Sequence, residues 1–159
     1  MVVALTIWGL LVVQPVTGYV FNASGCRWAG TEPPIGYEFQ SVTAAYMTAT
    51  YNADSAWDAT SSPGYFYEGA SGQVSIYDNA YGANGLHAWV GGGCDADDIW
   101  NTPLGLYYNQ SYMDAFSASK KKAVAVHELG HVYGLAHTEH WDCHDQLWHG
   151  GIMVNGAWA

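Results

Sequence analysis

Hydrophobic residues recur with a helical period in two segments of the chain. Residues 39–57 carry apolar side chains at near-helical spacing, which predicts a helix packed on a sheet. A second helix is predicted over residues 120–133, and Ser117 or Ser119 is able to cap its first turn. Gly134 follows directly, at the position where a helix end favours left-handed backbone.

Four short β-prone segments, separated by glycines and other turn residues, lie between the two predicted helices. They are Tyr65–Glu68, residues 74–78, residues 86–90 and Leu104–Asn109. The chain shows no internal repeat and no low-complexity linker. The pattern therefore predicts one domain of the α+β class.

The N-terminal part of the chain differs from the rest, because residues 1–18 contain no charged side chain. The apolar stretch at residues 2–13 is too short to span a bilayer but suits the hydrophobic region of a secretory signal peptide. We therefore predict a signal peptide over residues 1–18, a single domain over residues 19–159, secretion to the extracellular space, and no stable membrane insertion. A buried strand or helix is the alternative interpretation of residues 1–18.

The composition narrows the classes of partner. Half of the residues are hydrophobic, so a sizeable core can form. Fourteen acidic residues against four basic ones give a formal net charge of −10. This balance argues against nucleic acid or an anionic membrane surface as the partner.

The cysteines and the glycosylation patterns leave alternatives open. Cys26, Cys94 and Cys143 allow one disulfide with one thiol left over, and the sequence does not choose the pair. Asn22 and Asn109 both fit the Asn-x-Ser pattern, which matters only if the source glycosylates its proteins.

The second predicted helix contains His127, Glu128 and His131 in the order His-Glu-x-x-His. Residues four apart on a helix differ by about 6 Å of rise and roughly 40° of rotation, so both imidazoles point to one side and suit one tetrahedral zinc ion. Glu128 lies beside them and is better suited as a base than as a ligand. Gly134 allows a sharp turn that returns His137 as a third ligand. Three protein ligands leave one position for water, as in catalytic zinc sites.

The run from His127 to His137, HELGHVYGLAH, with Met153 a short loop later, resembles the metzincin zinc metalloendopeptidases. The resemblance implies one catalytic Zn²⁺ on the three histidines, Glu128 as general base, a Met-turn at Met153, and protein or peptide substrates. Thr138, directly after the third histidine, is most similar to the matrixin branch and its small secreted microbial members.

The same resemblance implies a twisted, mostly parallel sheet with an antiparallel edge strand, a backing helix and a zinc-site helix. Residues 86–90 would form the edge strand above the metal and bind an extended peptide through backbone hydrogen bonds. Substrate contacts are therefore predicted at Leu86, His87, Ala88 and Trp89. A half-buried strand without substrate contacts is the alternative.

Other features of the sequence concern additional metals and the C-terminus. The acidic group Asp95, Asp97 and Asp98 is interpreted as a solvated turn, with a Ca²⁺ site held through its oxygens as the alternative. The loop at residues 138–151 contains residue types that bind a second metal, but a polar solvated loop is the simpler interpretation. The chain ends soon after Met153, so a C-terminally short family member is expected.

The predicted function is hydrolysis of peptide bonds by a monomeric zinc endopeptidase. One alternative is a catalytically inactive protein with the metzincin fold, which would bind zinc without cutting protein. The other is a secreted zinc-containing module similar to a carbohydrate-recognition domain, suggested by an aromatic content of 15%. Chelation separates the alternatives, because an enzyme loses activity whereas a binding module loses its fold or nothing.

Overall fold

The structure, a computed structural model, describes residues 26–30, 34–60, 64–70 and 72–137. The predicted signal peptide, Met153 and the loop at residues 138–151 lie outside the described residues. The single domain over residues 19–159 stays a prediction. Within the described ranges, no helix has both the length and the apolar character needed to cross a membrane.

A five-stranded sheet and three helices make up the described architecture. In chain order the elements are β1 Pro34–Phe39, α1 Ala44–Asp58, β2 Tyr65–Glu68, β3 Val74–Asn79, β4 Ala88–Gly91, β5 Leu104–Asn109, α2 Gln110–Met113 and α3 Ala118–Tyr133. The strand order is β2-β1-β3-β5-β4. All neighbours are parallel except β4 and β5, which are antiparallel, so β4 is an antiparallel edge strand. The predicted fold class is confirmed.

The predicted helix over residues 39–57 begins too early. Phe39 ends strand β1, which the periodicity did not predict, and α1 begins at Ala44. Ser41 has a left-handed φ of 61°, which interrupts the chain between the two elements. The Asp78 carboxylate then accepts hydrogen bonds from the backbone N–H and hydroxyl of Thr43, at 3.1 and 2.7 Å. A contact from β3 thus helps to set the helix start.

The core lies between one face of the sheet and helices α1 and α3. Alternate strand residues such as Ile35, Ile76 and Leu106 are fully buried there, as expected for a sheet covered on one face. Tyr46 of α1 stacks on Tyr108 of β5, with ring centroids 5.4 Å apart. Helix α1 in turn contacts α3, which carries the histidines, because the Trp57 indole N–H donates to the Val126 carbonyl at 3.0 Å.

A disulfide between Cys26 and Cys94 joins the N-terminal end of the described chain to the loop between β4 and β5. This finding selects one of the three pairings that the sequence left open. Residues 26–28, which we call the N-terminal strap, also bond to that loop through the backbone. The Arg27 N–H donates to the Asp98 carbonyl at 2.8 Å, and the Trp100 N–H donates to the Arg27 carbonyl at 3.0 Å.

Candidate metal centre

Helix α3 brings the first two histidines to one side. It begins at Ala118, slightly earlier than predicted, and Ser117 is the N-cap whose hydroxyl accepts from the Lys120 N–H at 3.3 Å. His127 and His131 lie one turn apart in its C-terminal half, and their ring centroids are 4.7 Å apart. The helical spacing therefore produces the proximity that the sequence predicted.

The turn after α3 ends the helix and redirects the chain. Gly134 adopts φ 106°, and its N–H donates to the His131 carbonyl at 3.0 Å. The Leu135 N–H donates to the Gly130 carbonyl at 2.9 Å, which completes a Schellman motif. The chain leaves this turn towards His137. The predicted role of Gly134 at the helix end is confirmed.

Three imidazole nitrogens converge at the end of this turn. The Nε2 atoms of His127 and His137 are 2.9 Å apart, those of His131 and His137 are 3.0 Å apart, and those of His127 and His131 are 3.1 Å apart. Ligands at about 2.0–2.1 Å from a tetrahedral zinc ion are separated from one another by roughly 3.3 Å. The three nitrogens therefore fit one zinc ion. Across the described residues, this trio is the one group of three or more side chains that could hold a metal.

A backbone carbonyl orients His131. Its Nδ1 lies 2.8 Å from the Leu135 carbonyl oxygen, which can only accept, so Nδ1 carries the proton. The neutral ring then directs the lone pair of its Nε2 towards the point where the three imidazole nitrogens converge. Burial lowers the pKa of His131, the Leu135 carbonyl opposes this shift, and His137 adds to it. Neutral imidazole is the form that binds a metal.

Glu128 directly follows His127 in α3 and carries a buried carboxyl. It is 5% exposed, and this burial raises its pKa to about 8. Its Oε2 has no hydrogen-bond partner among the described residues. A cation close to a carboxyl acts in the opposite direction and favours the ionised form. Among the described residues, the carboxyl therefore has one oxygen that no neighbouring donor occupies.

The edge strand begins later than predicted, and this changes the placement of the four residues expected to contact substrate. Leu86 and His87 precede β4, which begins at Ala88. Leu86 is exposed, whereas Ala88 is buried. Trp89 stacks on Tyr107 at 5.0 Å, on the sheet face opposite Tyr108 and the helices. The Trp89 ring is therefore not brought towards the histidines.

Among the described residues, no strand pairs with the outer edge of β4. The Asn109 N–H donates to the His87 carbonyl at 2.8 Å, and Ala88 lies opposite Tyr108. In an antiparallel ladder, bonded pairs alternate with non-bonded pairs, so the N–H and C=O groups of Ala88 and Val90 point away from β5. These are the groups that an added strand would meet.

Asn109 is a residue whose role the sequence did not reveal. Its side-chain oxygen accepts from the N–H groups of Tyr81 and Ser111, both at 3.1 Å. Its amide nitrogen donates towards the Gly82 carbonyl, the Asn84 side chain and the Leu86 carbonyl, at 2.9, 3.1 and 3.1 Å. Asn109 thus holds the loop that leads into the edge strand. Because it is 0% exposed, it is not an accessible glycosylation site despite its Asn-x-Ser context.

The alternative of a calcium site at the acidic group finds no support. The Asp95 carboxylate accepts hydrogen bonds from the N–H groups of Asp97 and Ile99, both at 2.9 Å, within its own turn. The carboxylates of this group do not converge on one point as the three imidazole nitrogens do. The preferred interpretation, a solvated turn, agrees with these contacts.

The sequence of the chain matches one protein family. A profile of the metallopeptidase family M12B, reprolysin-like, matches residues 51–138, which is more than half of the chain. The chain therefore belongs to this metallopeptidase family, and membership implies a zinc cofactor. No curated protein sequence matches the chain at a significant level.

Two solved structures show distant similarity. The high choriolytic enzyme 1, a hatching-enzyme zinc protease from the medaka fish Oryzias latipes, is 14% identical with a TM-score of 0.44, covering 72% of this chain and 52% of its own. Myroilysin is 14% identical with a TM-score of 0.45, covering 73% of this chain and 48% of its own. The chain spans about half the length of either structure.

Proposed function

We propose that this protein is a zinc-dependent endopeptidase. His127, His131 and His137 would hold the ion through their Nε2 atoms. Zinc, when bound at such a site, supplies Lewis-acid chemistry, because it polarises a carbonyl oxygen and lowers the pKa of a water molecule towards ~7. The observation that carries the proposal is the convergence of three nitrogens at 2.9–3.1 Å, on a helix where a buried carboxyl, that of Glu128, directly follows His127.

Glu128 would act as the general base. Its Oε2 has no competing hydrogen bond among the described residues, so it is available to accept a proton from water. The same oxygen would then deliver that proton to the nitrogen of the departing amine. The position of this buried carboxyl next to His127 on α3 supports the role, because a metal ion held by the histidines would favour its ionised form, which can accept a proton.

The free edge of β4 would bind the substrate backbone. The outward N–H and C=O groups of Ala88 and Val90 favour an extended peptide that adds to the sheet as a further strand. Leu86, which is 49% exposed, would contact substrate side chains at one end of this edge. His87 packs against the rings of Tyr112 and Phe116, so it would shape the substrate-binding surface at this edge rather than bind the peptide itself.

The finer assignments belong to the same proposal. The matrixin-like branch rests on Thr138, which lies outside the described residues, and the family match does not confirm it. A secreted protein with a signal peptide over residues 1–18 and a monomeric state are likewise proposed from the sequence. A Met-turn at Met153 would support the three imidazoles from below.

The test uses the full chain with one matched pair of variants. Wild-type protein should bind one zinc, cleave casein, and lose that activity with 1,10-phenanthroline. Glu128→Gln should keep the zinc and lose about 10²–10⁴-fold in rate. Glu68→Gln, at an exposed position on β2 at the opposite edge of the sheet, is the control and should keep wild-type activity.

Three outcomes separate the proposal from its alternatives. Stoichiometric zinc without cleavage of any peptide library member would indicate an inactive protein with this fold. A chelator that unfolds the protein, with binding to a carbohydrate array, would indicate a binding module. Full activity in Glu128→Gln would remove Glu128 from the mechanism.

A further inference from the structure

The N-terminal strap lies against the end of α3, where the chain turns from His131 towards His137. Cys26 is 0% exposed and Trp28 is 8% exposed, so the strap is part of the core. The Trp28 indole N–H donates to the Val132 carbonyl at 2.9 Å, in a buried contact between residues 104 positions apart. The strap therefore touches the segment that separates the second and third histidines.

The Trp28 contact satisfies a backbone group that the helix itself leaves open. The last four carbonyls of an α-helix have no intrahelical donor. In α3, the N–H groups of Gly134 and Leu135 bond to the His131 and Gly130 carbonyls. Val132 follows these two residues at the helix end, and its carbonyl receives the Trp28 indole instead.

A second contact lies one step further along the turn. A Cβ atom placed on Gly134 would lie 2.9 Å from the Cys26 carbonyl oxygen, so the two backbones are in close approach. The disulfide between Cys26 and Cys94 restricts any movement of Cys26 away from the turn, because it links Cys26 to the loop between β4 and β5. The turn is thus held between its own Schellman hydrogen bonds and the strap.

We propose that the N-terminal strap is a positioning element for the metal centre, and that Trp28 is its positioning residue. The strap holds the turn so that the Leu135 carbonyl and His137 stand in place before the metal arrives. Without the strap, the segment from Gly134 to His137 would have to become ordered when the metal binds. Ordering those residues costs conformational entropy, and this cost lowers the affinity for the metal.

The inference rests on the proposed function only in taking the three histidines as metal ligands. Its test is therefore zinc affinity, measured by competition with a chromogenic chelator on the full chain. Trp28→Phe keeps an aromatic ring and removes the N–H donor. We expect its zinc dissociation constant to rise at least tenfold, and the visible absorption spectrum of its cobalt(II) form to change.

Trp57→Phe is the matched control. The Trp57 indole also donates to a backbone carbonyl of α3, that of Val126 at 3.0 Å, and its side chain is also buried. That carbonyl lies before His127, and the ring of Trp57 also stacks on Tyr133, a contact that phenylalanine can keep. Trp57→Phe should lower the melting temperature of the metal-free protein while leaving the zinc dissociation constant within twofold of wild type.

Two further measurements keep the inference testable if Trp28→Phe folds poorly. The double variant Cys26→Ser/Cys94→Ser releases the anchor of the strap and should also weaken zinc binding at least tenfold. In wild-type protein freed of metal, the Gly134 and Leu135 amides should already be protected from hydrogen exchange. Exchange of these amides at the rate of an unstructured peptide, until zinc is added, would overturn the inference.

The outcomes distinguish this inference from the proposed function. If wild-type protein binds no zinc, the proposed metal centre itself fails. If wild type binds zinc and Trp28→Phe binds it equally well, with an unchanged cobalt spectrum, the proposed metal centre is retained. The inference about the strap is then refuted, and the strap only stabilises the fold. An equal loss of affinity in Trp57→Phe would also refute the inference, because it would indicate general destabilisation.

Discussion

Replacing Gly134 by alanine should destabilise the protein more than a left-handed backbone alone explains. The φ of 106° at this position is one that side chains rarely adopt. A Cβ in left-handed backbone costs roughly 1–2 kcal/mol. The new Cβ would also lie 2.9 Å from the Cys26 carbonyl oxygen, a backbone atom held by the disulfide, so the strap or the turn must move.

The two effects together set the expected magnitude. Overpacking at so short a contact adds about 1–3 kcal/mol, so Gly134→Ala should lower the free energy of unfolding by about 2–5 kcal/mol. For a chain of this size, about 2–4 °C of melting temperature is lost per kcal/mol, which predicts a decrease of roughly 4–20 °C. Thermal unfolding of the metal-free chain, followed by circular dichroism, measures it.

Gly85→Ala is the matched control for this prediction. Gly85 has a φ of 85°, and nothing lies within 4 Å of the position that its Cβ would take. The Gly85→Ala variant therefore has the free-energy cost of a side chain in left-handed backbone but no short contact. Its free energy of unfolding should fall by about 1–2 kcal/mol. An equal loss in both variants would show that the close approach of the strap does not require a glycine at position 134.

Three further predictions concern buried polar groups. Asn109→Asp replaces a donor with an acceptor facing three oxygens, so it should lower the free energy of unfolding by about 2–4 kcal/mol, and urea unfolding checks it. Thr50→Val removes the 3.0 Å hydrogen bond to the Tyr108 hydroxyl and should cost about 1–3 kcal/mol, but much less in a Tyr108→Phe background. Burial raises the pKa of Asp54 above the usual range of an aspartate, against a smaller lowering by the Tyr37 hydroxyl. The native state therefore binds this proton more tightly than the unfolded state. Stability should therefore fall as pH rises from about 4, and Asp54→Asn should remove that contribution from urea midpoints measured across the range.

The zinc-site helix and several strands could be predicted from the sequence because their signals are local. Residues Tyr65–Glu68 and Leu104–Asn109 form strands with the predicted bounds. The helical repeat that places His127 and His131 together acts over four residues, and Gly134 ends the helix through its own backbone freedom. Neither effect depends on a distant part of the chain.

The sequence-based predictions of element bounds were wrong where contacts between distant residues determine where an element begins. Strand β1 forms because it pairs with both β2 and β3, which periodicity within six residues does not reveal. The start of α1 is set in part by Asp78, which is 35 positions away from Thr43. The late start of β4 follows from the hydrogen bonds that Asn109 makes to the preceding loop.

By itself, the amino-acid sequence determined the spacing of the three histidines, the helix that carries two of them and the residue that ends it. Only the tertiary structure decided which cysteines pair, which carbonyl orients His131 and what supports the turn to His137. The disulfide joins residues 68 positions apart, and the indole of Trp28 reaches a carbonyl 104 positions away. Contacts of that range depend on how the whole chain packs, whereas a helix repeat depends on bonds between near neighbours.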